Sequence, residues 1–244
     1  PADPSLAQKI LGAAQGLLKI TALAPELDGI GPIYRIFQGA GVLVSLGHSD
    51  ATLRSIAIPG HPYSMTHLFN AMRGIDHRDG GLANLAFSQS PDYVEVNGDG
   101  IHVNATCLQL SARAIPSDSL ILISDAVIGA GLPQGTYRYF EHEVVSTERG
   151  VRYADTDVLM GSNRLGMDIV RNFASQAGVS LWQAVRAMSL VPRRALGMAE
   201  DFGSIEVGKF ADIFIWDKEM KIATRPSALL DGGPHQGSKA QKRK

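Results

Sequence analysis

A single cysteine, Cys107, is all the chain carries in 244 residues, so no disulfide can form within it. Neither sign of charge is in excess: 23 Lys and Arg against 24 Asp and Glu leave a formal net charge of −1. That excludes a broad field for gathering nucleic acid or an anionic membrane, and any anionic ligand has to be gripped by a local site. There is no apolar run long enough to span a bilayer and no legible signal peptide, which makes a reducing, cytoplasmic setting the expectation. A fixed-period repeat is also missing. The chain opens on Pro1 rather than methionine and runs directly into a helix-like segment, which predicts that a piece upstream has been removed.

What is present, 45% hydrophobic and 19% charged residues, is the composition of a globular protein with one or two cores. Leu6, Ile10, Leu11, Ala14, Leu17 and Leu18 recur at helical spacing and predict an amphipathic first helix. A pattern then repeats: an apolar β-rich run, a polar or titratable residue at its end, and a helical stretch. The runs are ITALAPE to Glu26, GVLVSLGHSDAT through His48, YSMTHLFNAM through His67, DYVEVNGDGIHV through Asp99 and His102, and SLILISDAV through Asp125. Polar residues gathered at strand C-terminal ends, spaced by about 20 to 30 residues, are the signature of a (β/α)8 active-site face. Such a barrel needs eight strands, so the expectation is an incomplete barrel of about five C-terminal βα units over 1–200.

Within that span, about 136–160 reads as a strand-rich insertion, and Asn163 to Ala177 and Leu181 to Leu190 read as helices. Ser162 and Ser180 are expected as N-caps, Pro192 at a first helical position and Gly197 as a stop. GSIEVGKFADIFIWD predicts two short strands joined by a Gly-Lys turn, part of a small β domain over 201–230. The polar, basic end 231–244 reads as a solvated disordered tail. Cys107, inside a predicted helix, reads as a small buried hydrophobe rather than a nucleophile.

His48 and His67 end consecutive strand-like runs, so a barrel sets their imidazoles side by side. Neutral imidazole is a ligand for zinc and other borderline divalent metals. Asp125 is either a turn and helix-capping residue or the acid/base for a water at that metal. His102 either polarises a substrate carbonyl or stabilises the Asn97-Gly98-Asp99-Gly100 turn. Arg73 and Arg78 flank a turn after the His67 run, where guanidinium groups can take phosphate bidentately. Glu26 could be a third ligand by position alone, while His61, His77, His142 and His235 read as loop or surface residues.

Taken in order, GHSDAT, THLFNAM, DGIHV, ISDAV with GAGLP, LMGSNRLGMDIV and GSIEVGKFADI resemble the motifs of N-acetylglucosamine-6-phosphate deacetylases of the amidohydrolase superfamily, from Ile20 to about Ile222. The resemblance implies that His48 and His67 are ligands of a catalytic divalent metal, zinc first, and that Asp125 is the general acid/base. It implies that His102 contacts substrate near the acetamido group and that Asn70, Ala71 and Arg78 contact the sugar phosphate. Arg78 would act across a homodimer interface, and Met160 and Gly161 would lie in a loop closing over the substrate. The family's third ligand, a glutamate in an upstream His-Leu-Glu-Gly-Pro motif, and its His-x-His motif do not occur in these 244 residues. Glu26 matches a family position that is not a ligand. The family's Arg-Glu-Pro-Gly reads Arg78-Asp79-Gly80-Gly81 here. Two rivals stay open: an amidohydrolase of another amide, which would leave Arg78 without purpose, and a non-catalytic piece of the deacetylase.

Overall fold

In a computed structural model the described residues are 2–88, 90–217 and the backbone of 222–224. Eighteen elements follow in order: α1 Pro4–Ala14, β1 Ile20–Leu23, α2 Ile30–Gly39, β2 Leu43–Leu46, β3 Tyr63–Met65, α3 Leu82–Ala86, β4 Tyr93–Asn97, α4 Ala105–Ala114, β5 Leu120–Ile123, then β6 Gly135–Tyr139, β7 His142–Thr147, β8 Gly150–Tyr153, β9 Leu159–Gly161, α5 Gly166–Ala177, α6 Leu181–Met188, α7 Leu190–Ala195, β10 Ile215–Trp216 and β11 Ile222–Thr224.

The first five strands form one parallel sheet in chain order, β1-β2-β3-β4-β5. Sequential order keeps every connection on one face, as in a barrel; a doubly wound sheet would reverse direction at its middle. Side-chain alternation agrees. Val44, Leu46, Tyr63, Met65, Val94, Val96, Leu120 and Leu122 turn toward the helices and join one core with Ile33, Phe37, Leu108, Ile169 and Phe173. The residues between them, Ser45, Ser64, Glu95 and Asn97, point to the opposite, inner face, where Thr66 Oγ1 donates to Glu95 Oε2 at 2.8 Å. Five of the eight strands of a (β/α)8 amidohydrolase barrel are thus present among the described residues.

Helices do not follow every strand. Residues 47–62, between β2 and β3, hold no helix. Pro59 and Pro62 explain this, since proline lacks the donor a helix interior needs and biases the residue before it to extended backbone. The expected insertion is a four-stranded antiparallel sheet, β6-β7-β8-β9.

Several sequence expectations need correction. Ser162 does not cap α5: the N-cap is Leu165, whose N–H donates to Asp168 Oδ2 at 3.2 Å, while Ser162 bridges to Ala126. Pro192 stands third in α7, inside the first turn, where its missing N–H costs no hydrogen bond. Ser180 caps α6, and Gly197 follows α7 in the left-handed region at φ 67°. In GSIEVGKFADIFIWD the turn forms, with Lys209 N–H donating to Glu206 O at 3.2 Å, but no strand flanks it; Ile205 and Val207 are exposed, and among the described residues the only pairing there is β10 with β11. Cys107 lies in α4 half-buried against the core rather than fully inside it. The apolar stripe of α1 is also less buried than its periodicity predicts: Ala7 is enclosed, whereas Leu6 and Ile10 are exposed. The expected tail 231–244 lies outside the described residues, as does His235. No described helix is long and apolar enough to cross a membrane.

Candidate active site

His48, His67 and Asp125 occupy equivalent places, each two residues beyond the end of its strand: β2 ends at Leu46, β3 at Met65 and β5 at Ile123. All three adopt left-handed backbone, with φ of 50°, 31° and 50°. Phe69 and Ala71, in the loop after His67, do the same at 75° and 47°. Side-chain-bearing residues rarely accept this region, and such strain clusters where a fold fixes functional groups. The turn re-aims each side chain across the C-terminal edge of the sheet. Gly47 makes room for it, since a Cβ there would fall 2.2 Å from Thr66 Cγ2.

The two imidazoles meet, with His67 Nε2 2.8 Å from His48 Nε2 and the rings edge to face at 81°. His67 is buried and His48 exposed. Burial, and after it the neighbouring His48, push the His67 imidazole below its usual pKa, so the ring is neutral near pH 7 with a lone pair to offer. His67 Nδ1 is buried without a hydrogen-bond partner. Two imidazole nitrogens converging from opposite rings match in kind the donors a borderline divalent ion takes. They fall short in number: among the described residues no group of three His, Cys, Asp or Glu side chains could hold a metal ion. Glu26 is engaged elsewhere, its Oε2 accepting from Ser49 Oγ at 2.6 Å.

Asp125 stands beside this pair with its side chain 30% exposed, accepting from Asn70 Nδ2 at 3.4 Å and lying 3.9 Å from His102 Nε2. The end of β9 is sewn to the same turn, for Ser162 N–H donates to Asp125 O at 2.9 Å and Val127 N–H to Ser162 O at 3.0 Å. That brings Gly161 against Asp125, with Met160 preceding it in β9. Glycine is required at 161, because a Cβ would meet Val127 Cγ1 at 2.6 Å and Asp125 O at 3.0 Å. The loops after β2 and β3 are likewise joined beyond their strands, Ser49 N–H donating to Ala71 O at 3.0 Å.

His48, His67, Asn70, His102, Asp125, Met160 and Gly161 therefore gather at one edge of the sheet, with Ala71 on its rim. Arg78 does not join them. It lies exposed in the loop before α3, where its backbone N–H donates to Asp76 Oδ1 at 2.7 Å. Arg73 is tied to Asp50 and Asp79. His61, His77 and His142 are exposed. Sequence reasoning gave no role to two carboxylates, the buried Asp99 and the half-buried Glu95. Asp99 takes the His102 ring, Oδ2 to Nδ1 at 2.7 Å, and its signal was the three-residue spacing inside a glycine-flanked turn. Glu95 sits on the inner face in a run that reads as ordinary strand, and nothing local marks it.

An amidohydrolase family model matches residues 2–237. N-acetylglucosamine-6-phosphate deacetylase from Mus musculus is 35% identical over 211 residues, 83% of this chain and 51% of its own length. N-acetylgalactosamine-6-phosphate deacetylase from Escherichia coli O157:H7 is 30% identical over 216 residues, 88% of this chain and 57% of its own. The chain thus spans about half the length of these relatives. Among solved structures, a mutant N-acetyl-D-glucosamine-6-phosphate deacetylase from Mycobacterium smegmatis, in complex with N-acetyl-D-glucosamine-6-phosphate, superposes with a TM-score of 0.82 at 29% identity, covering 91% of this chain and 59% of that one. With the sequential parallel sheet, and a family match running almost from end to end, this chain belongs to the amidohydrolase family.

Proposed function

We propose that this chain supplies the hydrolytic site of an enzyme that converts N-acetylglucosamine 6-phosphate and water to glucosamine 6-phosphate and acetate. One observation carries the reading: the His48 and His67 Nε2 atoms converge at 2.8 Å beside Asp125, which in turn faces His102 Nε2 at 3.9 Å. The names of the relatives and of the structural neighbour support the substrate.

His48 and His67 would hold a divalent ion, zinc first among the borderline metals. When bound, such an ion lowers the pKa of water beside it and polarises an amide carbonyl. Asp125 takes a proton from the attacking water as its oxygen bonds to the amide carbon, and delivers it to the amine nitrogen as the C–N bond breaks. His102, in the form that carries hydrogen on both ring nitrogens, donates from Nε2 to the oxygen on which negative charge develops. Asn70 holds Asp125 in place and, with Ala71, borders the sugar phosphate. Met160 and Gly161 wall the pocket on the Asp125 side. Arg78 pairs with the 6-phosphate of a substrate held by the partner protomer of a homodimer. We place the described residues of 1–200 in the barrel and those of 201–230 in a small β domain, the rest of 201–230 lying outside the described residues. The partner is a phosphorylated amino sugar in the cytoplasm, with no nucleic acid or membrane surface involved.

The lack of a third ligand among the described residues favours a second reading, in which the chain alone is a non-catalytic piece of that enzyme. Acetate release separates the two. It is measured, with zinc supplied, for the 244-residue chain and for that chain fused behind the segment of the Mycobacterium smegmatis deacetylase it does not span. The fusion should release acetate from N-acetylglucosamine 6-phosphate faster than from the unphosphorylated sugar, and the chain alone should not. A folded, zinc-loaded fusion that leaves the phosphorylated sugar intact overturns the deacetylase reading. Turnover by the chain alone overturns the second.

A further inference from the structure

Asp99 occupies, two residues beyond β4, the place that His48, His67 and Asp125 occupy beyond β2, β3 and β5. Its carboxylate nevertheless does not reach across the sheet edge. It is turned under the loop, where its side chain is 0% and that of His102 2% exposed. Asp99 Oδ2 lies 2.7 Å from His102 Nδ1, and Oδ1 accepts the N–H groups of Ile101 at 2.8 Å and His102 at 2.9 Å. Burial pushes the Asp99 carboxyl up, but the His102 side chain and these two N–H groups outweigh it and hold the group below the usual carboxylate range. An ionised carboxylate only accepts, so the hydrogen between them belongs to Nδ1. Asn97 Nδ2, 3.1 Å from the same Nδ1, then finds no lone pair there and is satisfied by Ser124 O at 3.2 Å.

The loop is also held from behind. Asn97 Oδ1 accepts from Asp99 N–H at 2.9 Å, and Asn172 of α5 donates to Gly98 O at 2.6 Å. A Cβ at Gly98 would fall 2.9 Å from Ile169 Cγ2, so α5 closes on this backbone without space to spare. The one ring nitrogen of His102 left to face the site is Nε2, 3.9 Å from Asp125 Oδ2.

We propose that Asp99 is a positioning residue for the reaction: by taking the Nδ1 hydrogen of His102 it fixes the ring's orientation and tautomer and presents Nε2 to Asp125 and the substrate amide. This role rests on the deacetylase reading. Its chemical consequence is specific. A ring whose Nδ1 hydrogen is committed can exchange a proton with the reacting groups only through Nε2, accepting when neutral and donating when cationic.

Asp99→Asn is the discriminating variant. Two backbone N–H groups converge on the Oδ1 side, so the amide oxygen must stay there and the amide NH2 must face the ring. Nδ1 then has to accept, and the neutral ring carries its hydrogen on Nε2. Long-range 1H–15N correlation spectra of the fusion, with the His102 signal identified by its loss in His102→Gln, read this directly. The neutral wild-type ring should carry hydrogen on Nδ1, and the Asp99→Asn ring on Nε2. In the fusion with the Mycobacterium smegmatis segment, Asp99→Asn should lower kcat on the order of 100-fold or more, with KM changed by less than about 2-fold. A wild-type neutral ring with its hydrogen on Nε2 overturns the proposal, and so does an Asp99→Asn spectrum identical to wild type. If no form of the protein releases acetate, the deacetylase reading falls, while the tautomer measurement still decides what Asp99 does to His102.

Discussion

Asp125 and Arg78 make separable demands on a substrate, one at the scissile amide and the other at the phosphate. Asp125→Asn keeps the shape and the Asn70 neighbour at 3.4 Å but cannot carry a proton. In the fusion it should bind metal as wild type does and lose kcat on the order of 100-fold or more, the usual scale for a missing general acid/base. Near-normal turnover would remove Asp125 from the mechanism. Arg78 makes no side-chain ion pair among the described residues, whereas neighbouring Arg73 is bound to two aspartates. Arg78→Ala should therefore raise KM for the phosphorylated sugar roughly 10-fold or more, a charge-assisted pair being lost, with kcat and the unphosphorylated sugar little affected. Equal losses on both sugars would mean that Arg78 binds no phosphate.

Elements set the site through one close backbone approach and one half-buried carboxyl. Where β9 meets the Asp125 turn, Gly161 has no space for a methyl group, since the Asp125 carbonyl lies 3.0 Å from its ideal Cβ. Gly161→Ala should cost about 1–3 kcal/mol of stability through overpacking and displace Asp125, so that activity falls together with Tm. A fully stable and active variant would show that β9 can shift away freely. On the inner face of the sheet, burial pushes the Glu95 carboxyl above the usual range, and the Thr66 and His67 donors only partly offset this. The folded state thus holds the Glu95 proton more tightly than the unfolded chain. That contribution to stability is complete below the ordinary carboxylate pKa of about 4.3 and is lost as pH rises through the higher folded value. Glu95→Gln, neutral at every pH and still able to accept from Thr66, should gain on the order of 1 kcal/mol at pH 7, roughly 2–4 °C in Tm. The gain should vanish in acid. Thermal melts at pH 4 and pH 7 check the sign, and a loss at pH 7 would mean the charge is compensated.

At the scale of the whole molecule, the sheet ends, among the described residues, on β1 and β5, each paired there on one side only. Among those residues Ser45 Oγ and Ser64 Oγ are buried on its inner face without hydrogen-bond partners, and Leu6, Ile10 and Leu17 remain exposed on and just after α1. Unpaired edges and open apolar surface promote association. The 244-residue chain expressed alone should scatter light as aggregates at modest concentration and hold well under one equivalent of zinc by elemental analysis, since two imidazoles are a partial ligand set. A monodisperse chain with one tightly held zinc would show that another of its residues completes the site.

Repeated strand runs, each closing on a titratable residue, were legible in the sequence because alternation of apolar side chains and strand-end polarity are local properties. So were His48, His67, His102 and Asp125 as candidates, and the Asn97-Gly98-Asp99-Gly100 turn. The fate of the strand pair expected over 203–217 was not, because a strand needs a neighbour to pair with and Ile205 and Val207, both exposed, have none among the described residues. Ser162 looked like a cap by residue type, yet its backbone is committed to Ala126 and Asp125, partners more than 30 positions away. Glu95 gained its character from Thr66 and the His67 backbone, far off in the chain, whereas Asp99 is held by Ile101 and His102 close by and becomes buried only when α5 closes on its loop. The sequence by itself determined the order of the five parallel strands, the residue types at their ends and the family. Only the tertiary structure decided which nitrogen of His102 faces Asp125, which carboxylate is turned inward, and that Arg78 stands apart, because those depend on distances between segments that the chain brings together only when folded.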